Sequence, residues 1–243
     1  MAGKTRESET PPMHPMTRAI ITGLEQAADP NKAPDMQAYM KTDQLFYGIQ
    51  AASRRKSFKT VAKAYKQITR DEYEQIIFEL WQGRTREEMY QALEVATHYK
   101  KFRNLQAWPI YEQLVNTATN WDTLDWIAAG LISPLVLEHR KLEKELVKWS
   151  TSDNFWVRRA SLLAHLHHKE ETNAELLAKT ILALAHEKEF FIRKAIGWVL
   201  RDYSYTNPEW VAAFVKANQG KLSGLSKREA LKQIERTRKE AKK

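Results

Sequence analysis

The sequence predicts an all-α protein built from stacked helix pairs, and three observations predict it. Only eight glycines and eight prolines occur in 243 residues, and few stretches alternate with the two-residue period of a strand. Apolar residues recur instead at three- and four-residue intervals, as on a helix with one buried face. A motif also recurs at an offset of 35 residues, the length of a helix pair.

The elements follow in chain order. Residues 1–13, "MAGKTRESETPPM", contain no apolar core and read as a disordered leader. A helical domain is expected over 14–234. Thr69 and Asp71 stand where a cap is needed before the amphipathic run "YEQIIFELW" (73–81). "MYQALEVATHY" (89–99) keeps the same period. Ser152 and Asp153 are capping candidates before Phe155. "LLAKTILALAH" (176–186) is a third amphipathic run, and Asn207-Pro208 opens another before Trp210. Residues 235–243, "ERTRKEAKK", read as a disordered basic tail.

The repeat is visible when "FWVRRASLL" (155–163) is laid on "FFIRKAIGWVL" (190–200). Trp156 falls on Phe191, Val157 on Ile192, Arg158 on Arg193 and Ala160 on Ala195. One step forward places Arg228 and Ala230 in the same columns; one step backward places Trp121 and Asp125 there. A period of 35 in helical sequence points to a HEAT-like α-solenoid, with the second helix of each pair lining a concave basic groove. Asp125 therefore occupies a column where the three other units carry alanine for close packing. A carboxylate there costs stability unless it is solvated or partnered, which suggests that it serves a function.

Composition excludes several chemistries. There are no cysteines, so disulfides, Cys-ligated zinc, iron–sulfur clusters and thiol nucleophiles are out. No apolar run reaches the ~20 residues of a membrane span. A monomer in the cytoplasm is expected. The net charge is +9, but residues 221–243 hold nine Lys/Arg against three acids, so +3 remains for the other 220. Basicity alone is thus weak evidence for a nucleic-acid partner. No GxGxxG, P-loop, HExxH or GxSxG motif occurs. His165, His167 and His168 lack zinc-ligand spacing and read as polar helix positions. No metal or cofactor is expected.

The groove-facing columns hold Trp121 and Asp125, then Trp156, Arg158 and Arg159, then Arg193, Trp198 and Arg201. Basic residues among aromatics suit the sugars and phosphates of DNA. The alternatives are that Trp156 and Trp198 are core aromatics and that Arg158 and Arg193 bond helix ends of the adjacent unit. Asp122 competes with Asp125, but its offset of one from Trp121 points it elsewhere.

These residues resemble a family. "MQAYMKTDQLFYGIQAASRR" (36–55), "SDNFWVRRA", "KEFFIRKAIGWVLRDYSYTNP" and "LSKREALKQI" are similar to AlkD-type alkylpurine DNA glycosylases, and the likeness runs from about His14 to Ile234. The resemblance implies a HEAT-like solenoid that releases N3- and N7-alkylated purines from double-stranded DNA without extruding the base. It implies catalytic Asp125, Trp121 and Trp198, a backbone contact by Arg159, and Tyr39 completing the groove; Arg158, Arg193 and Arg201 are further DNA-binding candidates. Two positions depart from the pattern. Asn120 stands where an aromatic is expected, and bulky Trp126 follows Asp125. The chemistry agrees with the resemblance. An alkylated purine is already cationic and leaves readily, and a carboxylate beside the sugar stabilises the oxocarbenium-like state and positions water. The rival expectations are a non-catalytic DNA-binding stack and a protein-interaction scaffold of the same fold.

Overall fold

The computed structural model describes residues 12–241. The expected all-α class holds: helices dominate, and extended pairing among the described residues is a single bridge between Leu45 and Thr85. The chain divides into two compact units, Met1–His98 and Tyr99–Lys243.

The first unit contains α1 (Pro15–Gln26), α2 (Ala33–Met40), α3 (Ala51–Ala64), α4 (Arg70–Trp81) and α5 (Arg86–His98). The cap expected at Thr69 forms a capping box: its hydroxyl accepts from the Glu72 N–H at 3.2 Å, and Glu72 accepts from the Thr69 N–H at 2.7 Å. Tyr73, Ile76, Ile77 and Leu80 then form the buried stripe that α4 lays on α5. The loop before α3 is fixed by Glu87, a buried carboxylate that accepts from the N–H groups of Tyr47, Gly48 and Ile49 at 2.9–3.0 Å. Three charge-assisted bonds offset its desolvation.

The second unit contains α6 (Trp108–Thr117), α7 (Trp121–Ile127), α8 (Ser133–Glu138), α9 (Glu143–Trp149), α10 (Phe155–Leu163), α11 (Ala174–Leu184), α12 (Phe190–Tyr203), α13 (Pro208–Ala217) and α14 (Gly224–Glu240). Successive second helices α7, α10, α12 and α14 pack on one another. The alanine column explains the close stacking: Ala160, Ala195 and Ala230 are all fully buried. At Gly197 the approach is closer still, since a Cβ would lie 2.5 Å from Glu229 Cβ and 3.0 Å from Ser226 O. Hydrogen bonds between layers repeat the sequence period. Ser226 Oγ donates to Arg193 O at 2.8 Å, 33 residues away, and the His167 N–H donates to Asp202 at 2.8 Å, 35 residues away.

Several expectations are corrected. The leader expected over 1–13 lies, through residue 11, outside the described residues. The tail is not disordered at its start: α14 continues through Glu240, with Arg236 paired to Glu240 one turn on at 2.9 Å. The cap of α10 is Asn154, whose side chain accepts from the Trp156 N–H at 2.9 Å, rather than Ser152 or Asp153. The histidines do not sit on a polar helix face. His165 and His168 are buried in the turn after α10, and burial pushes the His165 imidazole down to about 3. No helix among the described residues is long and apolar enough to cross a membrane.

Candidate active site

Helix α7 begins abruptly because Asn120 caps it. The Asn120 side chain accepts from the Trp121 N–H at 2.8 Å, and its carbonyl accepts from the Leu124 N–H at 3.2 Å. The residue that departs from the family pattern is thus a helix-starting residue. Asp122 lies in the first turn, where a negative charge suits the helix dipole. Thr123, Leu124, Ile127 and Ala128 are buried, whereas Trp121, Asp122, Asp125, Trp126, Ala129 and Gly130 keep partial exposure. One face of α7 therefore carries Trp121 and Asp125 a turn apart toward solvent.

Directly after this face the helix widens into a π-turn over Ala128–Ile132, with the Ser133 N–H donating to Ala128 O. Pro134 supplies a reason: it has no N–H to give the carbonyl four residues back, and its ring crowds that carbonyl. Such widened turns are frequent at functional sites.

Asp125 is held from the next layer. Arg159 Nε and Nη2 donate to its two carboxylate oxygens, each at 2.8 Å, in a fork-on-fork pair. Arg159 Nη1 donates to the Phe191 carbonyl, and the guanidinium carbon lies 5.7 Å from the Phe191 ring centroid. The Arg159 side chain is 3% exposed and that of Asp125 17%, so the pair has a buried basic end and an acidic end that reaches solvent. Burial raises the Asp125 carboxyl above its ordinary value, Arg159 opposes that rise, and Asp122 adds to it.

The other expected site residues are distributed as follows. Trp156 is core, packed between Phe155 and Phe191 with ring centroids 4.4 and 5.0 Å away. Trp198 is partly exposed two turns along α12 from Phe191, about 10 Å up the same face. Tyr39 belongs to the first unit and is 74% exposed.

The arginines are all engaged by protein groups, as the alternative for Arg158 and Arg193 anticipates. Arg159, expected at a DNA phosphate, is buried, and all three of its bonding nitrogens are engaged by protein groups. Arg158 grips the Glu187 carboxylate and the carbonyls of Ser152 and Asp153. Arg193 donates to Glu187 O at 2.8 Å, and Arg201 pairs with Glu229, which also holds Lys194 at 2.8 Å. Arginines repeated in register satisfy carbonyls and carboxylates at the ends of neighbouring helices. The sequence carries a signal for this in Arg158 and Arg193, whose repetition suits a structural job. It carries none for the Phe191 carbonyl that completes the Arg159 site. Among the described residues, no group of three His, Cys, Asp or Glu could hold a metal ion.

A family model described as DNA alkylation repair enzyme matches residues 20–234. Among solved structures, a predicted DNA alkylation repair enzyme from Enterococcus faecalis is 33% identical, with TM-score 0.77, covering 84% of this chain and 95% of that one. The smu.31 protein of Streptococcus mutans UA159 is 16% identical, with TM-score 0.58, covering 88% and 97%. AlkD2 from Streptococcus mutans is 18% identical, with TM-score 0.55, covering 82% and 95%. The latter two show a shared fold. No curated protein matches the chain. With a family-model match over residues 20–234 and a 33% identical solved structure covering 84% of its length, this chain belongs to the DNA alkylation repair enzyme family.

Proposed function

We propose that the protein is a DNA glycosylase that hydrolyses the N-glycosidic bond of cationic N3- and N7-alkylated purines in double-stranded DNA, the first step of base excision repair. The observation that carries this reading is the one-sided Arg159–Asp125 pair on the Trp121 face of α7. The bond pair of the breaking C1′–N bond passes to the purine and neutralises its positive charge. The deoxyribose becomes cationic as it does so, and water adds to C1′. Each oxygen of Asp125 accepts one bond from Arg159 and keeps a second lone pair for the sugar or the water. The carboxylate stabilises the developing cation and takes the proton of the attacking water. Trp121 and Trp198 cradle the sugar and exclude solvent, and indole faces favour a cation.

Arg159 acts behind Asp125: it orients the carboxylate and counters the protonation that burial favours. In this reading the phosphate role expected of Arg159 is given up. Tyr39, with its 74% exposure, remains a DNA-contact candidate, as do the partly exposed Arg158, Arg193 and Arg201 through N–H groups their protein partners do not use. The ion pair between layers also suits a non-catalytic DNA-binding stack. The two readings part on one experiment. Methylated duplex DNA is incubated with the protein and the freed bases are separated by chromatography. The glycosylase reading expects 7-methylguanine and 3-methyladenine, and duplex binding without base release supports the non-catalytic stack.

A further inference from the structure

Positive charge in this chain is concentrated on one short stretch. Residues 44–70 contain seven Lys or Arg and no Asp or Glu. Their net charge of +7 compares with +6 for residues 221–243, and the remaining 193 residues sum to −4. Most of the stretch is α3 (Ala51–Ala64). Its buried face is Arg54, Phe58 and Ala62, with the Arg54 guanidinium carbon 4.3 Å from the Tyr90 ring centroid. At about 100° per residue, the opposite face belongs to Lys56, Lys59 and Lys63, and all three are exposed. Arg55 flanks them and reaches Glu94 at 3.5 Å, whereas the three lysines make no ion pair among the described residues.

A solvated helix face ordinarily mixes signs, and this one does not. Lys59 stands one turn from Arg55 and one turn from Lys63, like charges at the spacing where they repel. The first turn of α3 also lacks an acid to match the helix dipole. A helix that breaks both rules gives up stability for another purpose. In the unit Tyr99–Lys243, by contrast, Arg158, Arg159 and Arg201 are already paired with Glu187, Asp125 and Glu229.

We propose that the Lys56–Lys59–Lys63 face of α3 is a docking surface for the phosphates of duplex DNA and supplies affinity that does not depend on a lesion. The proposal rests on the reading that duplex DNA is the substrate, and it does not depend on base release. Charge complementarity carries it. From Lys56 to Lys63 the helix rises about 10 Å, and a duplex carries roughly six phosphate charges over that length. Three ammonium groups with no competing carboxylate can each neutralise a phosphate without breaking an internal pair. Lysine suits such a surface, because a point charge on a flexible stem holds phosphates without reading bases.

The test measures affinity for an undamaged duplex across a salt series, for the wild type and for Lys56→Gln/Lys59→Gln/Lys63→Gln, with thermal melts to confirm folding. Loss of three phosphate contacts should flatten the slope of log affinity against log salt by about 2.7. Arginine at the same three positions keeps the charge and should keep the wild-type slope. Lys144→Gln/Lys179→Gln/Lys216→Gln removes three exposed charges from α9, α11 and α13 and should move the slope by less than about 0.5. If the α3 triple variant does not fold, Lys59→Gln alone should flatten the slope by about 0.9. An α3 variant with the wild-type slope, or an equal loss in the α9–α11–α13 variant, would overturn the proposal. Weaker binding of the α3 variant to phosphatidylcholine–phosphatidylserine vesicles with unchanged duplex binding would put a membrane on this face and overturn it too. Each of these results leaves 7-methylguanine release by the wild type, and with it the glycosylase reading, intact. A wild type that does not bind duplex DNA removes the DNA reading and the proposal with it.

Discussion

Replacing Arg159 by alanine isolates the group that holds Asp125. The substitution deletes two 2.8 Å bonds to the carboxylate and one to the Phe191 carbonyl, all from a side chain that is 3% exposed. Breaking a buried ion pair by removing one partner commonly costs about 3–5 kcal/mol, because the other charge stays behind unpaired. Asp125 is 17% exposed, so water recovers part of its solvation and the cost falls near the lower end, about 3 kcal/mol. At about 2–4 °C per kcal/mol for a chain of this size, the melting temperature should drop by roughly 6–12 °C. The function should suffer separately. Without Arg159 nothing opposes the burial that raises the Asp125 carboxyl, and the carboxylate is no longer aimed. Release of 7-methylguanine at neutral pH should fall by roughly 10²-fold. Arg159→Lys keeps a charge but loses the fork, and should recover part of the stability and little of the rate. Thermal unfolding and single-turnover release are the assays. A melting shift under about 2 °C together with an unchanged rate would refute the assignment of Arg159 as the support of Asp125.

Other outcomes follow from the same geometry. Because Arg159 is buried, Arg159→Ala should leave the salt dependence of duplex binding unchanged; loss of about one phosphate contact from the slope would put the side chain on DNA after all. The Asp125 carboxyl lies above its ordinary value of 3.8, so base release should be lost on the acid side at a pH above 3.8, as the carboxylate takes up a proton. An acid limb at or below that value contradicts the burial argument. His165 is held neutral, down to about 3 from an ordinary 6.5, so the unfolded chain binds its proton first as pH falls. Stability should be level above pH 6.5 and decline below it by about 1.4 kcal/mol per pH unit from this group. Urea titrations of wild type and His165→Leu should differ in that slope, and parallel slopes would show that His165 is not the proton acceptor. Uracil and hypoxanthine, neutral bases, should be released poorly, since no acid of the site is placed to protonate them; efficient uracil release would require one.

The legible parts of the sequence are those where one residue type has one physical use. Thr69 and Glu72 can close a capping box only at a helix start, and they do. Small residues repeating at 160, 195 and 230 mark a close-packed column, and all three are fully buried. The odd carboxylate in that column is paired across layers by a residue 34 positions away, nearly one repeat. The arginines were harder to read, because a guanidinium suits a phosphate, a carboxylate or a carbonyl equally well in sequence. Only the fold shows that Glu187 and the end of the α9–α10 loop lie within reach of Arg158. "ERTRKE" lacks apolar residues, yet Ile234 is buried at its root and an Arg236–Glu240 pair extends the helix over it. His165 carried no apolar signal in its type, and its burial follows from the turn that ends α10.

In the proposed reaction a carboxylate held from behind by a buried arginine carries the hydrolysis. Asp125→Asn tests it most directly, since the amide keeps size and one acceptor oxygen but no charge. Single-turnover release of 7-methylguanine and affinity for the same duplex are measured side by side. Release should fall by roughly 10²-fold or more while affinity stays within about threefold. Release at the wild-type rate would contradict it and leave the Arg159–Asp125 pair as a tie between helical layers.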